Sequence, residues 1–293
     1  MDDEIKKDIP EKDKAIHNSF PKTPPSENQA NQHTNENETP QEGEQWLNRE
    51  NEEAFEKLTA FLDNLEETSG QEGIKTWFLE TINGALPADT TQRLRLEDLQ
   101  SLRYLQGESP SASEIAGREI VRPIFILKEA DCRKFMSITS GQSNEGLGKY
   151  IKGEKAGLII AIANKHTLGH EVRHSIDPHD RVGYDKVIDE LFAFYHQTIV
   201  DETPQRFMDE DGTVNEDPWK NLEVAISGRG YAEQYSKNSP ITLQYGQYRA
   251  MCREAVRIVK SYQEHHGHLE TQRKLAQTNT LDDLFALEEK SAL

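Results

Sequence analysis

The 293-residue sequence predicts an α+β fold that is mostly helical. From Trp46 onward, apolar residues recur every three or four positions through most of the chain, the spacing that places them on one helix face. Residues 120–127 and 156–163 are instead continuous apolar, β-branched runs, as strands of a packed sheet require. Residues 1–45 are almost all polar or charged, with Pro10, Pro21, Pro24, Pro25 and Pro40 set among Asn, Gln and Glu. Such a tail cannot bury enough apolar surface to offset the entropy of ordering it, so it is expected to be disordered.

In chain order, Phe55, Leu58, Phe61, Leu62 and Leu65 mark a first helix, and Trp77, Phe78 and Ile82 a second that ends near Gly84. Leu94, Leu96, Leu99, Leu102 and Leu105 suggest a third. Residues 107–113, Gly-Glu-Ser-Pro-Ser-Ala-Ser, form a cluster of breakers and suggest a boundary between an N-terminal helical region, 46–108, and a second unit, 109–293. The strand at 120–127 contains Pro123, which donates no N–H and so belongs at a sheet edge or a strand start. Residues 137–155 hold Gly141, Gly146, Gly148 and Gly153 and are expected to form a hairpin or flap.

The strand at 156–163 leads into a polar turn, where Asn164 or Thr167 can cap a helix from about 168 to 176. That helix must end before Pro178, because the residue preceding a proline is pushed out of helical geometry. Residues 184–197 read as a further helix, with Ile188, Leu191, Phe192, Tyr195 and Ile199 on an apolar stripe and Glu190, Ala193 and Gln197 on another face. Residues 209–218 form a loop. Helices are expected over 219–235 and 248–266, and a short apolar stretch covers 281–287.

Acidic residues number 52 against 34 basic ones, a net charge of −18, and no basic patch stands out. Nucleic acid and anionic membranes are therefore not expected partners. Two cysteines, Cys132 and Cys252, are too few for a disulfide framework and fit a reducing compartment. The opening Met-Asp-Asp-Glu carries no apolar segment, so no secretory signal is expected. No apolar run approaches the ~18 residues of a membrane span, and a cytoplasmic protein is expected. No Walker or dinucleotide fingerprint is present.

The chemistry concentrates at His170-Glu171-Val172-Arg173-His174. Two histidines four apart lie on one helix face, so both imidazoles can reach a single Zn²⁺. Glu171 between them projects close to the metal without ligating it, where a general base for an activated water belongs. A catalytic site needs a third protein ligand. Glu190 is the first candidate, with Ala193 three places on leaving room for the two helices to approach. Asp180 is the alternative and His179 a third candidate, although Asp177-Pro178 restricts a chain that must double back there.

The pattern His170-Glu171-x-x-His174, followed by Glu190-x-x-Ala193 on a later helix, resembles the zincin metallopeptidases of the gluzincin type, and more narrowly the compact minigluzincins. The resemblance spans residues 124–200. It implies a small twisted sheet lying over the active-site helix, a second helix delivering the glutamate, a zincin-like catalytic domain over 109–293, and hydrolysis of peptide bonds in a peptide or protein substrate. The larger gluzincins carry an aspartate four residues after the glutamate to orient the first histidine. Here that position is Phe194, so Asp189 or a backbone carbonyl is expected to take over.

Tyr195, His196, Tyr231 and Tyr235 are candidate stabilisers of a tetrahedral oxyanion. Tyr231 is preferred because it follows Ser227-Gly-Arg-Gly230, whose glycines let a loop approach the site. A substrate could pair with the strand at 157–162 if that strand has a free edge. His166 reads as a first-turn polar residue, and His265, His266 and His268 as the end of a helix broken at Gly267. Two other readings compete. One is a deformylase-like zinc amidase using Cys132 as third ligand. The other is a non-catalytic interaction or regulatory protein that makes protein contacts through its tail or helical region.

Overall fold

The computed structural model describes residues 49–88, 90–140, 147–152, 157–209 and 211–287. The tail expected over 1–45 lies outside them, as do Gly141, Gly146 and Gly153 of the expected flap. Among the described residues the sheet has four strands: β1 (Arg103–Glu108), β2 (Val121–Leu127), β3 (Gly148–Ile151) and β4 (Leu158–Ile162). Their spatial order is β1-β2-β4-β3, with β2 and β4 parallel and both outer pairs antiparallel. The fold is thus α+β, largely helical around a small mixed sheet.

Successive strand residues face opposite sides, and both sides of this sheet are covered. Phe125, Leu127, Leu158 and Ile160 face one core, shared with α1 (Arg49–Ala85) and α3 (Glu129–Ser140). Ile124 and Ile159 face the other, shared with α2 (Pro110–Ala116), α4 (Lys165–Ile176), α5 (Val187–Tyr195), α6 (Pro218–Ile226), α7 (Arg229–Ser236), α8 (Tyr245–Gln277) and α9 (Leu281–Phe285). That double burial is why β2 and β4 read as continuous apolar runs rather than alternating ones. α1 is broken at Gly70, at φ 63°, into the two helices the apolar spacing predicts. α8 is broken in the same way at Gly267, at φ 80°.

Five expectations are corrected. The leucines from Leu94 to Leu105 form one 3-10 turn, Leu96–Leu99, and then β1; Leu102 and Tyr104 are buried at alternating positions while Leu105 is exposed. The breaker cluster at 107–113 is not a gap between elements. Gly107 belongs to β1, paired with Arg122, and Ser109 caps α2 through the Ala112 N–H, with Pro110 in its first turn. Pro123 sits in an interior strand, where the parallel ladder to β4 begins one residue later, at Ile124. Residues 137–140 extend α3 rather than opening a flap. The helix expected over 219–235 is two, α6 and α7, separated at Ser227 and Gly228.

No described helix is long and apolar enough to cross a membrane.

Candidate metal centre

α4 begins at Lys165, three residues ahead of the expected start near 168. Asn164 is the cap: its side-chain oxygen accepts from the N–H groups of His166 and Thr167, at 2.9 and 3.2 Å. The helix stops at Asp177, ahead of Pro178. It lies against β4 and β3, and α5 packs across it. Val187, Ile188, Leu191 and Phe192 anchor α5 in the core and turn Glu190 toward α4.

This crossing brings three donors together. His170 Nε2 and His174 Nε2 are 2.9 Å apart. Glu190 Oε2 is 3.4 Å from the first and Glu190 Oε1 3.9 Å from the second. Donors from all three residues fall within 4.8 Å of one another, the one such His/Cys/Asp/Glu group among the described residues. A tetrahedral Zn²⁺ with bonds of about 2.0–2.1 Å spaces its donors by roughly 3.3 Å. The three separations bracket that value, and two imidazoles with a carboxylate are the donor chemistry of a catalytic zinc site. The residues fit the ion.

The protonation states express the same crowding. Burial opposes a charge on His170, but the Glu190 carboxylate outweighs it and the pKa is raised. Burial, reinforced by the charge on His170, pushes His174 down to about 4. Burial opposes charge on Glu190 too, yet its partners, His170 first, hold the carboxyl low. In the metal-free protein the Glu190 carboxylate thus favours a proton on His170.

Gln197 orients His170. The chain passes from α5 into a single π-helical turn, His196–Val200; such turns recur at functional sites. This one presents Gln197 Oε1 to His170 Nδ1 at 3.1 Å. An Nδ1–H donated there leaves Nε2 for the metal. Gln197 is itself fixed, because its Nε2 donates to the His166 carbonyl at 2.7 Å. The expectation that Asp189 or a carbonyl orients the imidazoles is therefore corrected for His170: Asp189 is paired instead with the buried Arg181. Phe194 packs its ring against the His170 ring, centroids 4.4 Å apart.

Glu171 is buried beneath the edge strand β3. A side chain at Gly148 would meet Glu171 Oε1 at 2.8 Å and Thr167 Cγ2 at 2.6 Å, so only glycine lets the strand pass this close. The Glu171 carboxylate faces the Tyr150 backbone N–H, yet burial dominates and its pKa is pushed up to about 7. A carboxyl balanced near neutrality can both take and return a proton.

Tyr231, at the start of α7, donates its hydroxyl to Glu190 Oε2 at 3.2 Å, so the structure brings it to the centre. The other three aromatic candidates lie elsewhere or behind. Tyr235 stacks behind Tyr231, Tyr195 meets His268 Nδ1 at 3.0 Å, and His196 turns toward Gln272. Asp180 is exposed and sits 3.5 Å from Lys152, outside the cluster. His179 faces the end of α8. Cys132 directs its thiol to the Leu147 carbonyl at 3.5 Å and contributes no donor. The strand at 157–162 has no free edge, because β2 and β3 flank β4; the edge strands are β1 and β3, and β3 is the one beside α4.

Comparison with protein families, with curated protein sequences and with solved structures finds no match to this chain.

Proposed function

We propose that the chain is a zinc-dependent peptidase of the zincin type, gluzincin-like in its ligand set. The observation that carries this reading is the convergence of His170, His174 and Glu190 with Glu171 buried alongside them. Zinc, when bound, supplies Lewis-acid polarisation of a carbonyl and a lowered water pKa. Glu171 takes a proton from the attacking water and returns it to the leaving amine. Tyr231, whose hydroxyl already reaches Glu190, is placed to donate to the oxygen that gains negative charge.

The substrate in this reading is a peptide or protein segment. It is laid in extended form along β3, where the backbone groups of Gly148 and the carbonyl of Tyr150 are not used by β4, the Tyr150 N–H being turned to Glu171. Leu147 O accepts from Ile162 N at 2.9 Å, and strand alternation then turns the next residue outward. We place the protein in the cytoplasm because both cysteines are buried and unpaired.

A first histidine with no polar partner would favour the non-catalytic alternative; Phe194 offers none, but Gln197 supplies one. The deformylase-like alternative needs Cys132 among the ligands, where it is not found.

The test is turnover of a peptide library by zinc-loaded protein, with Glu171→Gln as control. Cleavage by the wild type with at least a 100-fold loss in the variant supports a peptidase. No cleavage of any peptide by fully loaded protein overturns it.

A further inference from the structure

Behind α4, three buried polar atoms have no hydrogen-bond partner: Arg173 Nε, His196 Nδ1 and Gln272 Oε1. Arg173 is the unusual member. Its side chain is fully buried, among the largest so enclosed. Nη1 donates to the Gly169 carbonyl at 3.0 Å and Nη2 to Ser111 Oγ at 2.9 Å, both neutral acceptors. Among the described residues no carboxylate lies within 4.0 Å of the guanidinium; Asp201 is the acid whose field reaches it. Asp201 is already engaged, by Lys165 at 2.9 Å and by His166 Nδ1 at 3.3 Å.

A buried guanidinium cannot lose its charge to escape the cost of burial, and an unpaired buried charge is among the largest penalties a fold can carry. Water would satisfy the free N–H but leave the charge uncompensated. A small anion does both. His196 stands beside this position, facing Gln272 and within the field of Arg173; burial first, and Arg173 second, keep its imidazole neutral and able to donate through Nδ1.

We propose that these groups hold a small monovalent anion, chloride in the cell, against Arg173 Nε, enclosed by α2, α4, the π-helical turn and α8. The site is separate from the zinc ligands and does not depend on the peptidase reading. Gluconate is far larger than a halide and cannot enter an enclosed site, so chloride and bromide bind while gluconate does not.

Crystals grown in sodium bromide test this directly by anomalous diffraction. The expected result is a bromide peak at hydrogen-bond distance from Arg173 Nε. In parallel, the Tm is expected to rise and saturate with sodium chloride but not with sodium gluconate at the same ionic strength. Arg173→Met, nearly isosteric and neutral, should lose the difference between the two salts; should that variant not fold, the wild-type bromide map still decides. No bromide peak at this position, or a peak with coincident chloride and gluconate melting curves, overturns the proposal.

Discussion

Gln197 Oε1 lies 3.1 Å from His170 Nδ1 and, through its Nε2, ties that imidazole to the His166 carbonyl one turn earlier on the same helix. One amide thereby sets the tautomer and the tilt of the first histidine of the cluster. Gln197→Leu keeps the volume and removes the hydrogen bonds. It is expected to weaken zinc binding about 10–100-fold with the fold intact. Competition with a chromophoric chelator measures this; unchanged affinity would assign His170 another anchor.

Tyr231→Phe removes the hydroxyl that reaches Glu190 and nothing else. Zinc stoichiometry should stay the same while kcat falls about 100-fold or more, the cost of losing one donor to a developing oxyanion. If instead the variant loses zinc at unchanged kcat per bound metal, Tyr231 serves only to position the glutamate.

Zinc uptake should acidify a weakly buffered solution. The ligand imidazoles must be neutral, and Glu190 raises the pKa of His170 despite its burial. The proton therefore persists above the ordinary histidine value and must leave when zinc binds. Apparent affinity is expected to rise with pH through the folded His170 pKa and then level off. For the metal-free protein the sign is opposite: a raised folded pKa stabilises below the unfolded value of 6.5, and that stabilisation is lost as pH rises through the folded one. Pairs of melting curves with and without zinc should diverge toward high pH.

Arg122 and Glu52 join α1 to the sheet by a bidentate pair, 2.7 and 2.9 Å, inside the core. The Arg122 guanidinium also lies 4.0 Å over the Phe55 ring and meets Ser175 at the end of the metal helix at 2.9 Å. Glu52→Ala strands the buried cation and is expected to cost about 3–5 kcal/mol. Urea unfolding reads this out, and a loss below about 1 kcal/mol would mean the pair is solvated.

The motif, its cap and the convergence of Glu190 on the two histidines are legible because each is a local pattern: His170 and His174 one turn apart, Asn164 ahead of the helix, and Glu190 on the face opposite an apolar stripe. Gln197 shares that face with Glu190 and Ala193, so the same periodicity carries its signal. β1 was misread because leucines at 96, 99, 102 and 105 mimic a helical repeat. In the structure residues 103–108 pair with β2, from 13 to 23 positions away, and within that strand Tyr104 turns inward while Leu105 is exposed. Arg122, Arg173 and Arg181 are buried for reasons no local window contains, since their partners lie 53 to 97 residues away in several cases.

The most direct test is the zinc content of purified protein, by elemental analysis, for the wild type, Glu190→Ala and Asp180→Ala. The geometry predicts about one zinc per chain in the wild type and in Asp180→Ala, and little or none in Glu190→Ala. Zinc retained by Glu190→Ala but lost from Asp180→Ala, or no zinc in reconstituted wild type, would contradict the account.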